Sequence, residues 1–109
     1  MSYFYVTATV GERKFYLAKD YVWTLGSANA KRWANRADAI GNGRVQAEMP
    51  SVSRDDADGV TMMEFRDAVS RTWIVCDENG FAVYPYHLRP RIMCDEKGIA
   101  VYPYHLRML

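Results

Sequence analysis

The sequence predicts a single α+β domain, in which one or two helices pack on one face of an antiparallel sheet and a duplicated β-hairpin follows. Residues 3–10 alternate between the two faces of a strand, which indicates a half-buried sheet. Residues 27–40 repeat apolar side chains at helical spacing. One strand–turn–strand unit occurs twice, at 74–89 and at 92–107, and the 109 residues together have the length of one domain, 1–109.

The opening of the chain is predicted to be a β-hairpin. Residues 3–10 are rich in β-forming side chains, and every second one is apolar. Residues 11–13 form the turn, and the returning strand over 14–18 buries Phe15 and Leu17. The inward-facing side chains of the first strand are Phe4, Val6, Ala8 and Val10.

Residues 27–40 are predicted to form the first helix. Ser27 is a favourable N-cap residue, and residues 41–43 (Gly-Asn-Gly) are typical of a helix end. The apolar stripe consists of Ala30, Trp33, Ala34, Ala37 and Ile40. A short third strand is then predicted over 44–49, with Val45, Ala47 and Met49 facing inward.

A second helix is predicted to begin at Thr61. Thr61 and Glu64 have the spacing of a capping box, in which each side chain binds a backbone N–H group of the other residue. The side chains that this helix turns toward the core are Phe65, Ala68 and Val69.

The repeat at the end of the sequence indicates a tandem duplication of one hairpin. The two 16-residue copies differ at three positions, and the period is 18 residues. Gly80 and Gly98 provide the positive φ that the hairpin turns require. The first copy is predicted to belong to the core, to which it supplies Trp73, Ile74, Phe81 and Val83. The second copy is predicted to be a peripheral hairpin.

Composition and charge exclude several classes of protein. Half of the residues are hydrophobic and 25% are charged, so the chain is not intrinsically disordered. The net charge of +1 disfavours both an acidic DNA mimic and a basic nucleic-acid coat. No apolar run is long enough to cross a membrane, and no basic segment precedes an apolar stretch as in a secretory signal. We therefore expect a cytoplasmic protein.

Metal binding and catalysis find no support in the motifs. Cys76, His87, Cys94 and His105 are residue types that bind zinc, but their spacing lacks the closely paired ligands of zinc modules. We expect no metal, no other cofactor and no enzymatic activity, because motifs for nucleophilic, phosphate-binding or metalloprotease sites are missing. The two cysteines are expected to be reduced thiols, with one bridge between the repeats as the alternative.

The repeated Tyr-Pro-Tyr-His-Leu-Arg segments are the first candidate for a partner-binding surface. Tyrosine and arginine are enriched at binding hot spots because they bury a large area and keep polar groups available. The partner-binding residues predicted here are Tyr84, Tyr86, Arg89, Tyr102, Tyr104 and Arg107. A homodimer through the C-terminal hairpin is an alternative use of the same segments. A second candidate surface is a basic helix face of Lys31, Arg32 and Arg36, for nucleic acid or an acidic partner.

The chain as a whole resembles small phage-encoded accessory proteins, including anti-CRISPR proteins. The features that carry the resemblance are the tyrosine-rich opening hairpin, the segment 28–39 around Trp33 and the near-identical terminal duplication. The resemblance implies a non-enzymatic inhibitor in the bacterial host cytoplasm, which occludes a surface of a host defence protein or ribonucleoprotein complex. The alternative is a small nucleic-acid-binding regulator that uses Lys31, Arg32 and Arg36.

Overall fold

The structure, a computed structural model, describes residues 2–85 and consists of a five-stranded antiparallel sheet and two α-helices. The elements are β1 Phe4–Val10, β2 Arg13–Leu17, β3 Trp23–Thr24, α1 Arg36–Glu48, α2 Met62–Thr72, β4 Ile74–Asp77 and β5 Ala82–Tyr84. The strand order is β3-β2-β1-β4-β5, with β1 at the centre. The predicted α+β class is therefore confirmed for this part of the chain. Residues 86–89 of the first repeat copy and the whole second copy lie outside the described residues.

The opening hairpin forms as predicted. Thr9 pairs with Lys14 and Val10 with Arg13, and Gly11 takes a φ of +64° in the turn. Phe15 and Leu17 are completely buried. Of the inward-facing residues of β1, Val6, Ala8 and Val10 are buried and Phe4 is half-buried, so the alternation identified the core face correctly.

Both helices pack on this core face of the sheet. In α2 the ring of Phe65 meets the ring of Phe15 edge-on, at 5.0 Å between centroids. In α1 the backbone at Gly43 lies directly over Val6. Within residues 2–85, neither α1 nor α2 packs on the opposite face of the sheet.

The prediction of a helix over residues 27–40 was wrong, because α1 begins only at Arg36. Its N-cap is Asn35, whose side-chain oxygen accepts hydrogen bonds from the backbone N–H groups of residues 37 and 38. Residues 27–29 form a single 3₁₀ turn, and an extended segment follows. Trp33 and Phe4 exchange two backbone hydrogen bonds of 2.8 Å. Trp33 is therefore buried by pairing with the sheet rather than by a helical stripe.

The prediction of a third strand over residues 44–49 was also wrong, because α1 continues through Gly41-Asn42-Gly43 to Glu48. A Cβ atom at residue 43 would lie 2.7 Å from the ring of Trp73, so this glycine permits close packing and does not end the helix. Ala47 faces the core as expected. Val45 and Met49 are instead 58% and 78% exposed.

The second helix follows the prediction, and the described part of the first hairpin copy, residues 74–85, forms a strand, a turn and a strand. Thr61 Oγ1 accepts the N–H of Glu64 and Glu64 Oε1 accepts the N–H of Thr61, which completes the capping box. Phe65 and Val69 are fully buried, and Ala68 is partly buried. In the hairpin turn, Asp77 Oδ1 accepts two backbone N–H groups and Gly80 has a φ of +86°.

The positions of two aromatic residues, Phe81 and Trp23, were not anticipated from the sequence. Phe81 was predicted to be in the core, but it lies in the β4–β5 connection and is 69% exposed. The two-residue strand β3 was not predicted, although its Trp23 is completely buried. The indole Nε1 of Trp23 donates a 3.1 Å hydrogen bond to the backbone carbonyl of Gln46, and this bond ties β3 to α1.

Candidate functional site

The face of the sheet opposite the helices carries three tyrosines, which we call the tyrosine row: Tyr3, Tyr5 and Tyr16. They lie on this face because the inward-facing residues of β1 and β2 alternate with them. Tyr16 pairs across the strands with Thr7, so Tyr5 is its diagonal neighbour on the same face. All three residues are partly exposed.

The rings of the tyrosine row contact one another in sequence. The centroids of Tyr3 and Tyr5 are 6.4 Å apart, with 42° between the ring planes. Those of Tyr5 and Tyr16 are 6.1 Å apart, with 30° between the planes, which is a stacked arrangement. The row therefore forms a continuous aromatic surface over β1 and β2.

A cation lies at each end of the tyrosine row. The guanidinium carbon of Arg32 is 4.5 Å from the ring centroid of Tyr3, and Lys14 Nζ is 5.7 Å from that of Tyr16. Both are within the range of cation–π attraction. Lys14 reaches its position through strand alternation, whereas Arg32 is brought there by the pairing of its neighbour Trp33 with β1.

A shallow cleft of about 230 Å³ lies over the tyrosine row. It is lined by the three tyrosines together with Ser27, Ala30, Arg32 and Glu78. Glu78 is the carboxylate among these lining residues, and it comes from the turn between β4 and β5. Among the described residues, the cleft thus joins aromatic walls to the cation of Arg32 and the carboxylate of Glu78.

Beneath the tyrosine row lies the buried thiol of Cys76. Burial is the largest effect on this thiol and raises its pKa, while a hydrogen bond with Thr7 acts in the opposite direction. Burial also raises the pKa of Tyr5, and the neighbouring Cys76 adds to this effect. Both groups therefore keep their protons at neutral pH. A protonated, buried thiol is a poor nucleophile, so this pair supports packing rather than catalysis.

A second surface lies where α1 and α2 meet, and we call it the methionine surface: Met49, Met62 and Met63. These side chains are 78%, 53% and 75% exposed, in that order. A cleft of about 430 Å³ lies between the helices here, and its lining is Met49, Pro50, Ser51, Met62, Met63 and Arg66. The side chains of the methionine surface are therefore neighbours and not scattered exposed residues.

The structure places the predicted partner-binding tyrosine Tyr84 in a packed position. Its ring lies 5.3 Å from the ring of Trp73, and its hydroxyl accepts a 2.8 Å hydrogen bond from Arg44. The other five predicted partner-binding residues lie outside the described residues: Tyr86, Arg89, Tyr102, Tyr104 and Arg107.

The three predicted basic residues do not share a helix face. Lys31 and Arg32 lie in the extended segment before α1, and Arg36 is the first residue of that helix. Lys31 Nζ lies 5.5 Å from the ring centroid of Trp33, while Arg32 covers Tyr3. Of the three, only Arg32 lines the cleft over the tyrosine row.

One of the four residues considered for zinc, Cys76, belongs to the described part of the chain. Cys76 is buried at 2% exposure, and His87, Cys94 and His105 lie outside the described residues. Within residues 2–85, no group of three or more potential ligands is placed to hold a metal ion. No helix in the same range is long and apolar enough to span a membrane.

Comparison of the chain with protein-family models, with curated proteins and with solved structures finds no match. The features of the described residues that bear on function are two surfaces, the tyrosine row and the methionine surface. Neither was identified from the sequence as a site. The alternation of residues 3–10 already placed two of the tyrosines on the outer face, and this was the signal that could have found the row.

Proposed function

We propose that the protein is a non-enzymatic protein-binding inhibitor, which acts by covering a surface of its partner. The observation that carries this proposal is the methionine surface. Three methionines, each more than half exposed, lie together at the junction of α1 and α2. Contiguous exposed apolar side chains are typical of protein-interaction sites.

Methionine is well suited to such a surface. Its unbranched, polarisable side chain adapts to the shape of a partner, and methionine-rich surfaces are common among adaptable binding proteins. The neighbouring cleft between the helices is lined by charged residues of both signs, among them Glu48, Arg66 and Asp67. A polar rim around an apolar centre is the usual arrangement of a protein interface.

The fold does not need these side chains for its own core. The helices pack on the sheet through other residues: Ala39, Gly43 and Ala47 of α1, and Phe65 and Val69 of α2. Exposed apolar residues that contribute little to folding are most simply explained by a role in binding.

A phage origin and a host defence protein of CRISPR type as the target are part of the same proposal. They are supported by the resemblance to small phage-encoded accessory proteins and by the terminal duplication. Occlusion requires no reactive group, and the buried, protonated thiol of Cys76 is consistent with this.

The proposal is tested by affinity capture with matched baits. The full chain is tagged and exposed to lysates of bacteria that carry CRISPR systems, with Met49→Ser/Met63→Ser as the test variant. Phe81→Ser is the control, because Phe81 is a similarly exposed apolar residue in a turn outside the methionine surface. Substitutions at exposed sites usually change stability by less than about 0.5 kcal/mol, so all three baits should be folded.

We expect the wild-type and Phe81→Ser baits to retain a partner protein that the double methionine variant does not retain. Equal capture by all three baits would contradict the proposal. Light scattering provides a second check. A wild-type dimer that the double methionine variant dissociates would also contradict it, because a second copy of the chain would then cover the surface.

A further inference from the structure

We propose that the tyrosine row is a second, separate binding site, which takes single-stranded nucleic acid with its bases on the rings and its phosphates toward Arg32 and Lys14. This site lies on the face of the sheet opposite α1 and α2, whereas the methionine surface lies between those helices. The inference therefore goes beyond the proposed function and does not depend on it.

The first argument is the aromatic surface itself. Tyr3, Tyr5 and Tyr16 are partly exposed, and their rings form one continuous row with centroid separations of 6.4 and 6.1 Å. Bases stack on exposed aromatic rings, and sheet faces that carry such rings are a common platform for single strands. Within residues 2–85, neither α1 nor α2 covers this face, and the three tyrosines remain partly exposed there.

The second argument is charge. Arg32 and Lys14 lie at opposite ends of the row, 4.5 Å and 5.7 Å from the ring centroids that they cover. An occupant that extends along the row therefore meets a cation at each end. This arrangement favours a ligand that combines planar groups with negative charges at intervals, which is the chemistry of a nucleic acid strand.

The ring spacing favours a single strand over a duplex. The separations of 6.1 and 6.4 Å are nearly twice the rise of about 3.4 Å per nucleotide along a duplex strand. Bases that rest on successive rings must therefore be spread apart, as they are in an extended single strand. In a duplex the bases are already stacked on each other and present only their edges.

Glu78 provides a test of the sign of the occupant's charge. It is the carboxylate in the lining of the cleft, and it opposes the approach of an anion. Neutralising it should strengthen the binding of nucleic acid and weaken the binding of any cationic ligand. The two kinds of occupant therefore predict opposite effects of the same substitution.

The experiment uses the full chain and fluorescence anisotropy of a labelled eight-nucleotide oligo-dT, an oligo-U of equal length and a duplex of equal length, at two salt concentrations. The variants are Tyr5→Ala, Tyr5→Phe, Arg32→Gln and Glu78→Gln. Tyr21→Ala is the control, because Tyr21 is 41% exposed and is not part of the row. Circular dichroism confirms the fold of each variant, and Tyr3→Ala replaces Tyr5→Ala if the latter is unfolded.

We expect the wild-type protein to bind either single strand more tightly than the duplex. Tyr5→Ala should weaken binding about tenfold, and Tyr5→Phe should retain it because a phenyl ring still stacks. Arg32→Gln should reduce the slope of log affinity against log salt by roughly 0.7, which corresponds to one phosphate contact on a single strand. Glu78→Gln should tighten binding, and Tyr21→Ala should leave it unchanged.

Three results would overturn the inference: no binding of either single strand at low salt, binding of the duplex as tight as that of the single strands, or equal affinity of Tyr5→Ala and the wild type. A capture experiment from nuclease-treated lysate provides a fourth test. If the wild-type bait retains a protein that the Tyr5→Ala bait does not, the inference is also overturned, because the row would then be a protein interface. Met49→Ser/Met63→Ser leaves the row intact, so its oligonucleotide affinity should equal that of the wild type. This expectation holds whether or not the proposed function is correct.

Discussion

Gly43 offers a quantitative test of how α1 packs on the sheet. A Cβ atom at this position would lie 2.7 Å and 2.9 Å from two ring carbons of Trp73 and 3.2 Å from a methyl group of Val6. These distances are shorter than van der Waals contact, so in Gly43→Ala the helix or the indole ring must move. Inserting one methyl group into a packed site typically costs about 1–3 kcal/mol.

The helix propensity of alanine partly offsets this cost. In a helix interior, alanine is more favourable than glycine by about 0.8–1 kcal/mol. The net expectation for Gly43→Ala is therefore a loss of about 1 kcal/mol in the free energy of unfolding. A control in the same helix is Gly41→Ala, because a Cβ at residue 41 has no neighbouring atom within 4 Å. That variant should gain up to about 1 kcal/mol.

Urea denaturation followed by far-ultraviolet circular dichroism measures both variants. The two substitutions add the same methyl group two residues apart in one helix, so they differ only in what the methyl group meets. Trp73→Phe should reduce the penalty of Gly43→Ala in a double variant, because the smaller ring leaves room for the added methyl group. If Gly43→Ala is as stabilising as Gly41→Ala, the close packing of α1 against Trp73 is wrong.

The remaining predictions concern the caps and the repeat. Asn35→Ala should lower the free energy of unfolding, measured by urea denaturation, by about 1 kcal/mol through loss of the α1 N-cap, whereas Ser27→Ala should change it little. If Ser27→Ala is the more destabilising of the two, Ser27 is the cap. The hydrogen bonds from Thr61 lower the pKa of Glu64 below its usual 4.5, so its contribution to stability is complete above that value and is lost as the pH falls through the lowered pKa. Glu64→Gln should therefore reduce the loss of unfolding free energy as the pH is lowered. An unchanged loss at acid pH would contradict the capping role. Deletion of residues 74–91 joins residue 73 to the second repeat copy, which differs from the first at three of 16 positions. The shortened chain should therefore melt cooperatively in a thermal scan. A chain without a melting transition would show that the two copies are not interchangeable. Truncation after Arg89 should likewise leave a domain that is folded by circular dichroism, and an unfolded product would place the second copy in the core.

The elements that the sequence predicted correctly are those fixed by local chemistry. The alternation of residues 3–10 and the Thr61–Glu64 capping box each depend on residues close together in the chain. Residues 27–49 were predicted wrongly because their structure depends on distant partners. Ser27 and Asn35 are both suitable N-cap residues, and the pairing of Trp33 with Phe4 decides between them.

The same distinction applies to the candidate site. The outer-face tyrosines of β1 follow from alternation, but the position of Arg32 over Tyr3 depends on a long-range pairing that no local pattern shows. The methionine surface was missed for a related reason. The glycines at 41 and 43 suggested a helix end, so Met49 was placed in a strand and turned inward, whereas it lies exposed after α1.

The central position of β1 has a consequence for synthesis of the protein on the ribosome. β1 is the first strand to be made, and one of its two neighbours, β4, is made near the end of the described chain, with Phe4 opposite Asp77. Until β4 emerges from the ribosome, one edge of β1 has unpaired backbone groups and can recruit strands from other chains. The nascent chain therefore completes its sheet late, only once residues 74–77 have been made and can pair with β1.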